Sequence, residues 1–398
     1  MDELLEGPLA IAHLLRRAGF GPDAATWPEW RELTFEEALG RLLAGLDTPP
    51  TPEPEGFDVY LPGAIQQVWL DRMRSGHAPL AEKLTLFWHG HFATSNAKIQ
   101  DAHLMWAQYG LLREHGAGSF RDLVLGVSRD VAMIRWLDGN ANRKGHANEN
   151  YGRELQELFT LGIGNYTETD IREVARAFTG WHSRHHDFVF KKQFHDAGEK
   201  TLHGKTGTFG GEEVVDILMD HPACARFIAA KLLRFFSHPD PSAEEVESLA
   251  GTMRDSGMDI RTTLEALFRA PAFLHVSSQR ALVRSPVEFV IAALAAAGVE
   301  EVSEDVQYSL DRQGQILFRP PSVKGWPSGT GWLSSGAVVE RLDMAQRIAK
   351  RATPSAAENI LETAFEGVAP TGLAGAIAKL SGAERVAFLL GGPAFQVA

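Results

Sequence analysis

Apolar residues recur at helical spacing along most of this 398-residue chain, and caps punctuate the segments they define. The stretch from Thr167 to Gly180 shows the pattern. Thr167 and Asp170 form a reciprocal N-terminal pair, Ile171, Val174, Ala175 and Phe178 share one face, and Gly180 closes the segment. SPVE, Ser285 to Glu288, is a second capping box with proline at the first helical position. Leu9–Ala18 follows Pro8 and ends at Gly19. Further helices are expected over 80–92, 103–115, 120–137 and about 147–161, and again from Glu212 to the end.

Two stretches refuse this pattern. Residues 187–209 carry Phe188, Phe190 and Phe194 at even spacing and an Ala197–Gly198 turn, so a β-hairpin or extended insertion is expected there. FRPPSVKGWPSGTGWL, 318–333, is rich in proline, glycine and tryptophan and reads as an ordered, non-helical loop over the core. The expectation is a mainly α chain with one multi-helical core. Residues 1–350 form the main helical domain, and 351–398 a small helical appendix packed on it.

The formal charge is −12, which argues against nucleic acid as a partner. Arg16–Arg17 and Lys191–Lys192 are too short as basic clusters to reverse that. The single cysteine, Cys224, excludes an intrachain disulfide and a cysteine-built zinc site, and reads as a core residue at a helix start. The longest apolar stretch, 289–299, falls short of the roughly 20 residues a membrane span needs, so no membrane insertion is expected. The opening MDELLEGPLAIAHLLRRAG is acidic first and lacks the apolar run of an export signal. As given, the chain reads as cytoplasmic; a trimmed leader would make it periplasmic or exported.

The chemistry concentrates in two places. FWHGHF, 87–92, sets His89 and His91 in an apolar run, and a buried imidazole needs a partner for each ring nitrogen. An H-x-H pair on an extended segment points both rings to one side and suits a metal; on a helix the rings diverge. The second place is His146 to Trp181. There Glu149, Arg153 and Glu157 share a helix face, with Glu154 beside them among Leu155, Leu158 and Phe159. The plain reading of that trio is a surface ion-pair ladder. The sharper one makes Glu154 and Glu157 an acid–base pair oriented by Arg153, with burial raising the pKa of a proton donor. His195 and Asp196 are adjacent before a glycine turn, and His182, His185 and His186 form a further cluster with Asp187. A phosphate loop fails because position 199 is Glu199, and no G-x-S-x-G or H-E-x-x-H occurs.

Six stretches together resemble the bacterial family known as domain of unknown function 1800: HLLRRAGFG, LTLFWHGHFATS, NENYGRELQELFTLGIGNYTETDIREVARAFTGW, FHDAGEKTLHG, LVRSPVEFV and FRPPSVKGWP. The resemblance implies a mainly helical fold, frequent export signals among members and a sulfatase-like partner protein. Its pattern covers His89, His91, Glu149, Arg153, Glu154, Glu157, Glu168, Asp170, His195, Asp196 and Lys200, but not the 182–186 histidines.

The leading expectation is a hydrolase-type enzyme. His89, His91 and His195 would bind a divalent metal (zinc, manganese or iron) that activates water. Glu157 or Glu154 would serve as acid or base, and Arg153 and Lys200 would hold an anionic group on the substrate. The alternatives are a metal-free glycan-cleaving enzyme pairing Glu154 with Asp196, with Trp181, Trp326 and Trp332 as sugar platforms, and a non-enzymatic helical scaffold.

Overall fold

The structure, a computed structural model, describes residues 3–56, 58–60, 63–368, 370 and 372–398. It is mainly helical, and its only sheets among the described residues are two small antiparallel hairpins. Both expected capping boxes form: Thr167 with Asp170 opens the helix Glu168–Ala177, and Ser285 with Glu288 opens Pro286–Ala296. Each satisfies two backbone N–H groups that the first turn leaves without helical partners.

Two expectations change in detail. The helix expected over 120–137 is two, Phe120–Arg129 and Val131–Trp136. Asp130 adopts an extended backbone between them, and its carboxylate accepts the Met133 N–H at 2.7 Å and the Gln108 side-chain amide at 2.7 Å. A short acid that caps a new helix outcompetes continuation of the old one. The β insertion is likewise two hairpins. Trp181–Arg184 pairs with Asp187–Phe190, and Lys200–Leu202 pairs with Lys205–Gly207. The second turns at His203 and Gly204, both at positive φ, as a tight two-residue turn requires. Ala197–Gly198 lies between the hairpins instead, where Asp196 accepts the Gly198 N–H. Within 318–333 only Gly329–Trp332 is helical, as one 3-10 turn.

Apolar side chains gather in two clusters. One joins helices up to Phe273, with Leu14, Leu39, Phe92, Phe120, Phe159 and Phe236. The other joins Trp69, Met105 and Phe289 to Met344, Ile360, Leu389 and Phe395. The C-terminal stretch thus supplies core residues to the second cluster. The helix Pro79–His91 serves both, with Leu84 and Trp88 in one and Leu86 in the other, and it is buried nearly all round. Its polar side chains are therefore partnered. Glu82 accepts from Trp69, Tyr109 and Arg113, and Lys83 donates to the Gly19 carbonyl and pairs with Glu288. No helix among the described residues is long and apolar enough to cross a membrane.

Two glycines let backbones approach closely around the chemistry-bearing segments. Gly152, in the helix Glu149–Glu154, faces the next helix: a Cβ there would stand 3.0 Å from the Ile171 carbonyl and 3.1 Å from the Ala175 nitrogen. Gly325, at φ +78°, brings the 318–333 loop onto the middle glycine of FWHGHF, and a Cβ there would fall on the Gly90 carbonyl oxygen. Gly152→Ala is expected to lower stability by about 1–3 kcal/mol through overpacking, against its favourable helix propensity. Gly325→Ala is expected to cost a similar amount, about 1–3 kcal/mol, because it combines left-handed strain with the clash. Urea midpoints of the two variants check both; an unchanged midpoint for either refutes the close approach.

Candidate functional site

FWHGHF ends the helix Pro79–His91, so its two imidazoles diverge. His89 turns toward the 318–333 loop. Its Nε2 accepts the Phe318 N–H at 3.0 Å, and its ring meets Trp326 edge-on at 5.1 Å. Burial alone pushes its pKa down to about 3, so it stays neutral and pins the loop. His91 turns the other way. Its Nε2 lies 3.0 Å from the Phe159 carbonyl and its Nδ1 2.8 Å from the Lys231 amine. A carbonyl on one side and an amine on the other fix the neutral tautomer with the proton on Nε2. Burial, with the Lys231 charge adding to it, holds His91 well below the ordinary histidine range.

The Phe159 carbonyl is free for His91 for a local reason. Glu149–Glu154 runs on as a π-helical turn over Leu155–Thr160 and stops at Gly162, leaving its last carbonyls without partners in the helix. His91 therefore meets the segment that follows Glu154 and Glu157 through a backbone carbonyl.

Lys231 comes from the helix Pro222–Phe236, where its amine lies 5.0 Å from the centre of the Phe227 ring. Desolvation lowers its pKa to about 8. Two cavities share it. The outer one, about 540 Å³, is lined by Glu157, Leu158, Ile163 and Phe227 among others. The inner one, about 360 Å³, is lined by His91, Arg234, Phe235, Lys324, Trp326 and Trp332 among others. Glu154 is half-buried and lies within electrostatic reach of Glu157, in the outer wall, and of Lys324, in the inner one. Its pKa is raised by burial and then by the Glu157 charge, against the pull of Arg153 and Lys324. Glu157 accepts a hydrogen bond from the Tyr166 hydroxyl.

His91, Trp326 and Trp332 thus line the inner cavity, Glu157 lines the outer one, and Glu154 lies beside Glu157 without lining either. The structure places the other candidates elsewhere. Arg153 is bidentate on Glu168, at 2.8 and 3.0 Å, and touches Glu149 at 3.5 Å, which is the ion-pair ladder. Asp196 is ion-paired with Arg176, which holds its pKa down to about 2. Lys200 is buried, and its amine donates to the carbonyls of Asp196 and Gly198, tying that loop. His195 lies 2.9 Å through Nδ1 from the Thr179 carbonyl. It lines a separate cavity of about 290 Å³ with Trp181, whose face carries the Arg129 guanidinium at 5.5 Å. Among the described residues no three His, Cys, Asp or Glu side chains are placed to hold a metal ion. The set His89, His91 and His195 does not fit one: two share a helix facing apart, and both nitrogens of His91 are engaged.

Sequence reasoning passed over Lys231, Arg234, Lys324 and Tyr166. A signal for Lys231 was present: Phe227, Lys231 and Phe235 recur every four residues, a lone lysine on an otherwise aromatic stripe.

No curated protein and no solved structure matches the chain. A family model does, that of the protein of unknown function DUF1800, over residues 13–397. With nearly its whole length so matched, the chain belongs to the DUF1800 family.

Proposed function

We propose that this chain is a hydrolase-type enzyme that works without a metal at the cleft around Lys231. The observation that carries the reading is the lysine itself: a partly buried amine, titrating near pH 8, held by His91 and open to two cavities. A general base is most effective when its pKa lies near the working pH. Held through one N–H by His91, the neutral amine keeps its lone pair for the cleft. In the proposed reaction, Lys231 takes a proton from water as the water oxygen bonds to the electrophilic centre of the substrate. Glu154, whose carboxyl is kept protonated to a higher pH by burial and by Glu157, gives its proton to the departing oxygen. Tyr166 fixes Glu157 in place. Trp326 and Trp332 offer flat apolar walls to a ring-bearing substrate. A glycan-cleaving pair of Glu154 with Asp196 is less favoured, because Asp196 is already committed to Arg176.

The reading is tested with chromogenic esters, phosphate monoesters and glycosides. Hydrolysis of the accepted class is expected to be highest below pH 8 and to fall as pH rises through it, because the step needs a neutral Lys231 and a protonated Glu154 together, and Lys231→Met and Glu154→Gln are each expected to lower it by about 10²–10⁴-fold. Full activity in Lys231→Met ends the proposal. Stability offers an independent check. Between pH 8 and the ordinary 10.5, the unfolded chain keeps a proton on this amine that the folded chain has released. The folded state therefore gains stability as pH rises through that window, by up to about 3 kcal/mol. Urea unfolding of Lys231→Met is expected to lack that increment; parallel pH curves for the two proteins would contradict the depressed pKa.

A further inference from the structure

Charge is distributed unevenly behind the inner cavity. Glu288 is the acidic residue of its wall, and that carboxylate is already paired with Lys83. Arg17, Arg284 and Arg341 also lie within electrostatic reach of it. Arg16 and Arg280 adjoin these and share Glu366. The assembly holds six cations against two carboxylates. Arg16, Arg17, Lys83, Arg284 and Arg341 each keep 4 % or less of their surface exposed. Among the described residues, Arg17, Arg284 and Arg341 have backbone carbonyls or a side-chain amide as partners and no carboxylate in direct contact. Buried charges are weakly screened, so this surplus projects into the adjoining cavity. Arg234 and Lys324 add exposed cations at the cavity itself. A protein of net charge −12 thus presents a positive, aromatic-walled inner cavity.

We infer that the cleft takes an anionic substrate, an organic molecule whose body lies against Trp326 and Trp332 and whose phosphate, sulfate or carboxylate group is held by Arg234 and Lys324. Lys231 is left free to act as the base. This assignment rests on the reading that the cleft is the working site, and it adds the class of molecule that enters.

The test is calorimetric titration of the full chain with phenyl phosphate, phenyl sulfate, benzoate and the neutral isostere benzamide. At least one anion is expected to bind roughly tenfold or more tighter than benzamide, with an affinity that falls as potassium chloride is raised. The strongest of the three identifies the group. Arg234→Glu and Lys324→Glu, both at exposed positions, are each expected to weaken that anion by about tenfold while leaving benzamide unchanged. Three outcomes overturn the inference: benzamide binding as tightly as every anion, no anion binding at all, or anion affinities unmoved by both substitutions. Its failure is separable from failure of the hydrolase reading, which falls only if Lys231→Met keeps full activity or the Lys231 pKa is ordinary.

Discussion

The organisation of this molecule turns on one buried imidazole. His91 stands between a helix-end carbonyl, that of Phe159, and the amine of Lys231. Each contact answers a need created elsewhere in the chain. The π-helical turn over Leu155–Thr160 leaves a carbonyl that must find a donor once buried. A lysine drawn toward an aromatic stripe must find an acceptor. A neutral imidazole supplies one donor and one acceptor on opposite edges, so it can satisfy both at once. Three distant segments are thereby locked in register, and the cleft exists where they meet.

The two histidines of FWHGHF divide their labour. His89 receives the Phe318 amide and Gly90 accepts the close approach of Gly325, so the proline- and tryptophan-rich loop is clamped to the central helix. That clamp carries Trp326 to the cleft wall. His91 handles the opposite side. Two imidazoles at one helix end thus hold segments on opposite sides of it. A chain that stores many cations behind a cleft wall spends folding stability on doing so, because each buried guanidinium loses its hydration. Such an arrangement is most readily understood where a bound anion recovers part of that cost.

Local features were legible in the sequence, and long-range ones only in part. Thr167 with Asp170 and Ser285 with Glu288 act within one helical turn, so their pattern and their structure coincide. Asp130 was hidden because a short acid inside a periodic stretch looks like a surface residue until its carboxylate is seen capping Met133. His91, Glu154, Glu157 and Trp326 were singled out from chemistry-bearing motifs; His91 and Trp326 share the inner cavity, while Glu157 lines the outer one with Glu154 beside it. His195, Asp196 and Lys200 came from an equally dense motif. Their partners are Thr179, Arg176 and their own loop, so that density reflects the turn between two hairpins. Lys231 was missed because its four-residue spacing with Phe227 and Phe235 marks a helix face and says nothing of what that face meets. Its meaning comes from His91, 140 positions earlier.

The most direct test of this account is the titration of one amine. Nuclear magnetic resonance of the protein with isotopically labelled lysine, assigned by comparison with Lys231→Met, follows the Lys231 side chain as pH is raised. The account predicts a midpoint near 8, the result of burial beside a neutral His91. A midpoint at the ordinary 10.5 would mean that the amine is fully hydrated, and neither the His91 link nor the base assigned to the cleft would stand.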